Sequence, residues 1–182
     1  SAIGSSLGAR PCGRRRRGAR WWVPVTTSVP FVGRSVEQER FASAASDAAS
    51  GHPWLVIIEG PAGSGKSALM RSSLGALDGR FVIERAYGDD LAVDVPMGLL
   101  GPIIGTTDAP AFTAALRLID HFAELQEADR VAVLAIEDVH WADQRSLQAL
   151  VTALRRLDHD RVLVVATVRD DDGPRDERWG RL

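Results

Sequence analysis

The chain has 182 residues, 45% hydrophobic and 25% charged, with a formal net charge of −2; this is the size and composition of one globular domain with room for a core. No apolar run approaches the roughly 18 residues of a membrane-spanning helix. The near-neutral charge argues neither for nor against nucleic acid, and a lone cysteine, Cys12, excludes an intramolecular disulfide and fits a reducing, cytoplasmic setting.

Residues 1–28 differ in composition from the rest of the chain. They carry Arg10, Arg14 to Arg17 and Arg20 but no acid, since the first is Glu37, and Pro11 and Pro24 break any long helix. An organellar transit segment or a patch for nucleic acid or lipid would use such charge, but the composition cannot build a core, so a disordered Arg-rich leader is expected. The globular pattern opens near Phe31 and defines a core of residues 29–170. Ser35-Val-Glu-Gln38 reads as a capping box starting a helix to about Ala49. After the break at Gly51-His-Pro53, Trp54 to Ile58 is a continuous apolar run with β-branched residues, the pattern of a strand buried on both faces.

The next eight residues after Glu59, Gly60-Pro61-Ala62-Gly63-Ser64-Gly65-Lys66-Ser67, match G-x-x-x-x-G-K-[ST], and a helix is expected over Ser67 to Leu74. Strand, glycine-rich loop and helix N-terminus together aim backbone N–H groups at one point, which makes an anion site. Lys66 is the only lysine among 22 basic residues. A chain that otherwise uses arginine keeps a compact ammonium where a planar guanidinium would not fit a backbone cradle. The pattern predicts a bound phosphate chain, with Lys66 on the β- and γ-phosphates and the Ser67 hydroxyl on Mg²⁺. A bare glycine-rich turn is the bland alternative, and the flanking strand and helix argue against it.

Further strands are expected at Phe81 to Tyr87, Val131 to Ile136 and Val162 to Ala166, and helices at Ala111 to Glu127 and Gln144 to Leu157; Pro96, Pro102 and Pro110 limit residues 88–110 to short helical pieces. Alternating strands and helices imply a parallel sheet covered on both faces. Val131 to Ile136 delivers Glu137 and Asp138 at its C-terminal end, where open parallel sheets bind ligands. One carboxylate there can hold Mg²⁺ and a second can polarise water, although acids also simply cap strands. Residues 171–182 form a charged tail with no hydrophobic period.

Phe31-Val32-Gly33-Arg34, the Gly60–Ser67 loop, Ile136-Glu-Asp-Val-His-Trp-Ala-Asp143 and Val165-Ala-Thr-Val-Arg169 occur in that order. Over about residues 30 to 170 the chain resembles the ATPase domain of STAND-class P-loop NTPases, and among them the large ATP-binding bacterial regulators of the LuxR type. The resemblance implies an α/β P-loop NTPase, a three-layer sandwich around a parallel sheet. It implies that Val32, Gly33 and Arg34 lie near the adenine. Glu137 becomes the Mg²⁺-associated acid, where the family more often has Asp, and Asp138 the acid that orients water. Arg169, beside Thr167, becomes a sensor of the γ-phosphate on a strand lying between the loop strand and the acid strand. His140, Trp141 and Asp143 fall in the family signature; read alone, Asp143 caps the next helix and Trp141 packs under it.

Such proteins continue with a fifth strand, a lid and later domains, whereas only residues 170–182 follow Arg169. The fold is therefore expected to be incomplete, and DNA contact to belong to a domain outside this chain. The function implied is an ATP·Mg²⁺-binding, slowly hydrolysing switch domain of a signalling or transcriptional regulator, with self-association through the ATPase domain and no membrane partner. The rival readings are a conventional AAA+ ATPase related to origin-recognition or clamp-loader proteins, a small-molecule P-loop kinase, and a truncated fragment without function.

Overall fold

The computed structural model describes the backbone of residues 19–24 and all of residues 34–169. In chain order these form β1 (Ala19–Pro24), α1 (Ser35–Ala49), β2 (Trp54–Glu59), α2 (Lys66–Gly75), β3 (Phe81–Tyr87), a short α3 (Gly101–Ile104), α4 (Ala111–Leu125), β4 (Val131–Glu137), α5 (Gln144–Leu154) and β5 (Val162–Val168), with single 3-10 turns at Asp90–Ala92, Glu127–Asp129 and Val139–Trp141. The prolines act as expected, leaving residues 88–110 only the turn at Asp90–Ala92 and the one-turn α3, whose first turn contains Pro102.

The five strands make one sheet in the order β1-β2-β5-β4-β3, and every pair is parallel. Parallel strands need crossovers, and the helices that supply them cover both faces. Alternate residues of each strand therefore feed two separate cores. Val56, Ile58, Val131, Val133, Ala135, Leu163 and Val165 pack with Phe41, Ala45 and Ala48 of α1 and Leu69, Met70 and Leu74 of α2. Leu55, Ile57, Ala132, Leu134, Ile136, Val162, Val164 and Ala166 pack with Leu118 and Phe122 of α4 and Leu147, Leu150 and Ala153 of α5. All seven residues of β5 are buried, as its central place demands. The fold is the three-layer α/β sandwich with a parallel sheet read from the sequence.

Two expectations fail. Residues 1–28 were expected to be a leader without structure, yet Ala19–Pro24 runs along β2 from Ala19 opposite Trp54 to Pro24 opposite Glu59. Without β1 the backbone of β2 would present an open edge, and pairing satisfies its N–H and C=O groups. The strand escapes notice because its six residues lie among arginines, although Trp21, Trp22 and Val23 are good strand formers and Pro24 is tolerated in an edge strand. The rest of 1–28 lies outside the described residues, as do Val32, Gly33 and the tail from 170.

The capping box at Ser35 does not form either. Arg34 occupies the N-cap and Ser35 is already helical, so no side chain caps α1. A box needs its serine in the non-helical cap position. Gln38 instead donates from Nε2 to Ser72 Oγ on α2 at 3.3 Å.

Candidate nucleotide site

β2 ends against β5, where the Gly60 N–H donates to the Val168 carbonyl at 3.3 Å. The chain then turns through Gly63 and Gly65, whose φ angles of +73° and +83° lie in the left-handed region that favours glycine. Gly65 is the N-cap of α2, which starts at Lys66, so the free N–H groups of the helix open onto the loop. Ala62 and Gly63 are exposed at its crest, while Pro61, Ser64, Gly65 and Ser67 are half-buried.

Lys66 is the buried cation of the loop. It is only 6% exposed, and its ammonium folds back to donate to the carbonyls of Gly60 and Pro61, at 2.8 Å each. A buried ammonium needs acceptors, and the loop's own outward carbonyls supply them. Arg34 reaches the same loop from the start of α1. Its Nη2 donates to the Ser64 carbonyl at 2.5 Å.

Across the sheet, β4 ends at Glu137, and Asp138 turns the chain with φ +50°, a conformation that costs a non-glycine residue energy. Three contacts hold it there. Its N–H donates to Thr167 Oγ1 at 2.8 Å. Its carboxylate lies 3.9 Å from Arg169 Nε. Its carbonyl sits against Gly88, where an added Cβ would stand 2.1 Å from that oxygen, and the Gly88 N–H donates to the Glu137 carbonyl at 2.8 Å. Thr167 is fully buried, whereas Arg169 is exposed at the mouth of the site.

His140 and Trp141 lie in the 3-10 turn beyond Asp138, with ring centroids 5.1 Å apart. Asp143 is 3% exposed and caps α5, accepting from the Ser146 N–H at 2.9 Å. The same carboxylate accepts from the N–H groups of Met97 at 3.0 Å and Leu99 at 3.2 Å, and Ser146 Oγ accepts from that of Leu100 at 3.1 Å. Burial pushes its carboxyl up, but the hydrogen bonds from Ser146, Leu99 and Met97 outweigh this and hold it below the usual carboxylate value. The last acid of the signature stretch therefore builds the scaffold rather than lining the cleft.

A family model described as an AAA ATPase domain matches residues 30–165. The chain belongs to the AAA ATPase domain family. Among solved structures it is similar to the Aeropyrum pernix ORC2 protein in ADPNP–ADP complexes, with a TM-score of 0.53 and 18% identity over 80% of this chain and 43% of that one. It is also similar to Caenorhabditis elegans PCH-2, with a TM-score of 0.54 and 15% identity over 85% of this chain and 42% of that one. At such identities the likeness is one of fold. The chain spans less than half the length of either protein. No curated protein matches it.

In this AAA ATPase domain the described loop, acid and arginine residues converge at the C-terminal ends of β2, β5 and β4, which are adjacent in that order, while Val32 and Gly33 lie outside the described residues. Gly60 to Ser67 form the loop, Glu137 and Asp138 close β4, and Arg169 follows β5. Gly88 and Thr167 hold the acids in place. Of these, the role of Gly88 was missed, and its only signal in the sequence is a glycine directly after a strand. Among the described residues no group of three or more His, Cys, Asp or Glu side chains could hold a metal ion, and no helix is long and apolar enough to cross a membrane. A Mg²⁺ ion would depend on phosphate oxygens, on the Ser67 hydroxyl and on one carboxylate, which suits a cation that keeps its waters. The donor set fits a nucleotide: among the described residues Arg34 Nη1 and Ser64 Oγ are buried at the loop without a hydrogen-bond partner.

Proposed function

We propose that this AAA ATPase domain binds ATP with Mg²⁺, hydrolyses it slowly and serves as the nucleotide switch of a signalling or transcriptional regulator. The observation that carries the reading is the fastening of Asp138 to Thr167 and its approach to Arg169, on the strand next to the phosphate-loop strand. In this reading the loop N–H groups and Lys66 take the phosphates. The Ser67 hydroxyl and Glu137 hold the cation, which when bound neutralises phosphate charge. Asp138 orients water, and Arg169 meets the γ-phosphate. Val32 and Gly33 belong to the base-binding entry segment.

The regulator role rests on the resemblance of Ile136 to Asp143 to the STAND-class stretch, and self-association and DNA contact through another domain belong to the same proposal. Calorimetric titration with ATP, with and without Mg²⁺, tests binding, and single-turnover hydrolysis of labelled ATP tests the switch. A slow single turnover with retained ADP supports the switch. Rapid multiple turnover favours a conventional ATPase of the origin-recognition kind, and no binding by the wild type defeats both.

A further inference from the structure

The resemblance puts Arg34 near the adenine, but its guanidinium lies on the phosphate loop. Nη2 holds the Ser64 carbonyl at 2.5 Å, the side chain is 7% exposed, and Nη1 is buried without a hydrogen-bond partner, as is Ser64 Oγ. Among the described residues no carboxylate pairs with it, since the ion pairs present involve other cations. A buried cation with a spare donor and no counter-charge is costly, and it calls for an anion.

We propose that Arg34 is a positioning residue of the phosphate cradle, acting on the phosphates through the Ser64–Gly65 peptide and through a charge that no described carboxylate pairs. The inference rests on the ATP-binding reading. The Ser64 carbonyl and the Gly65 N–H belong to one peptide unit. A charge-assisted bond at the oxygen polarises that unit and makes its N–H a stronger donor at the N-terminus of α2. The same bond ties the loop to α1, so the glycines keep one conformation before ligand arrives, and less ordering entropy opposes binding. Only a forked side chain can hold the carbonyl with one nitrogen and keep the other free. A role confined to packing the start of α1 would not depend on how many phosphates the ligand carries.

Competition against a fluorescent ATP analogue, with Mg²⁺, ATP, sodium tripolyphosphate and adenosine as probes, separates these roles. Arg34→Met should weaken ATP and tripolyphosphate by about ten- to a hundredfold, the worth of one charged hydrogen bond, and leave adenosine unchanged. Arg34→Lys keeps the charge but loses the fork and should recover only part of the loss. If Arg34→Met does not fold, Arg34→Gln carries the same expectation. Equal loss for adenosine and tripolyphosphate would overturn the proposal in favour of a base contact, and so would unchanged tripolyphosphate affinity. A wild type that binds neither ATP nor tripolyphosphate overturns the nucleotide reading itself, and this inference with it.

Discussion

The Thr167 hydroxyl accepts the backbone N–H of Asp138 at 2.8 Å, bridging β5 to the first residue beyond β4. This fixes a residue whose φ of +50° is otherwise costly. Thr167→Val keeps the shape but leaves that N–H without its acceptor, at a cost of about 1–3 kcal/mol in urea unfolding. Hydrolysis should fall further than ATP affinity, because the loop is untouched, and Thr167→Ser should restore both. A Thr167→Val protein with wild-type single-turnover kinetics would show that the bond serves the fold alone.

Glu137 and Asp138 should part company on substitution. Glu137→Gln is expected to weaken the Mg²⁺ dependence of ATP binding, and Asp138→Asn to leave binding largely intact while slowing hydrolysis. Titration with and without Mg²⁺, together with single-turnover kinetics, reads both. Two variants that hydrolyse at the wild-type rate would reduce the acids to strand caps.

Lys66→Ala should remove most ATP affinity, by tenfold or more, since a charged hydrogen bond is worth about 1.5–3 kcal/mol. The melting temperature should stay within a few degrees. The lost ammonium is buried against two carbonyls, and relief of its desolvation offsets the lost bonds. Lys66→Arg should bind nearly as poorly, because a guanidinium is too broad for the cradle. Calorimetry on all three proteins decides it.

Asp143 makes stability depend on acid. Its folded pKa lies below the unfolded value of about 3.9, so its contribution is complete above that pH and is lost as pH falls through the folded value. Asp143→Ala strands the N–H groups of Ser146, Met97 and Leu99 and should cost about 3 kcal/mol or more. Urea titrations at pH 7 and pH 3 should show the wild-type advantage shrinking at the lower pH. A constant difference would mean that the carboxylate's charge does not stabilise the cap.

Gly88→Ala should displace the acid turn. Its methyl would meet the Asp138 backbone carbonyl at 2.1 Å, and backbone cannot swing aside as a side chain does. The expected result is slowed hydrolysis with near-normal ATP affinity, together with a lower melting temperature. A substitution that leaves both unaltered would mean that the turn has room to move.

The loop strand, the acid strand and β5 were legible because strands buried on both faces read as unbroken apolar runs, and the glycine–lysine pattern marks the phosphate loop. The place of Val162–Val168 between the other two came only from the family resemblance. What escaped depends on tertiary partners. Ala19–Pro24 becomes a strand only beside the open edge of β2. Ser35 loses its cap when the helix starts one position early, with the Arg34 side chain bonded to the loop. Nothing in the spelling of Gly88 or Asp143 announces that they join residues 88–100 to the acid turn.

The strand order also dictates when the site can exist. β5 is the last described strand to be synthesised, yet it lies between β2 and β4. Until Val162–Val168 emerges from the ribosome, the strand that joins β1–β2 to β3–β4 is missing, so the phosphate loop and the acid pair share no sheet. Joining them requires contacts between distant parts of the chain, which makes for slow assembly and a period of exposure to aggregation. A nucleotide cannot guide those early steps, because both halves of the candidate site come together only when β5 slots in.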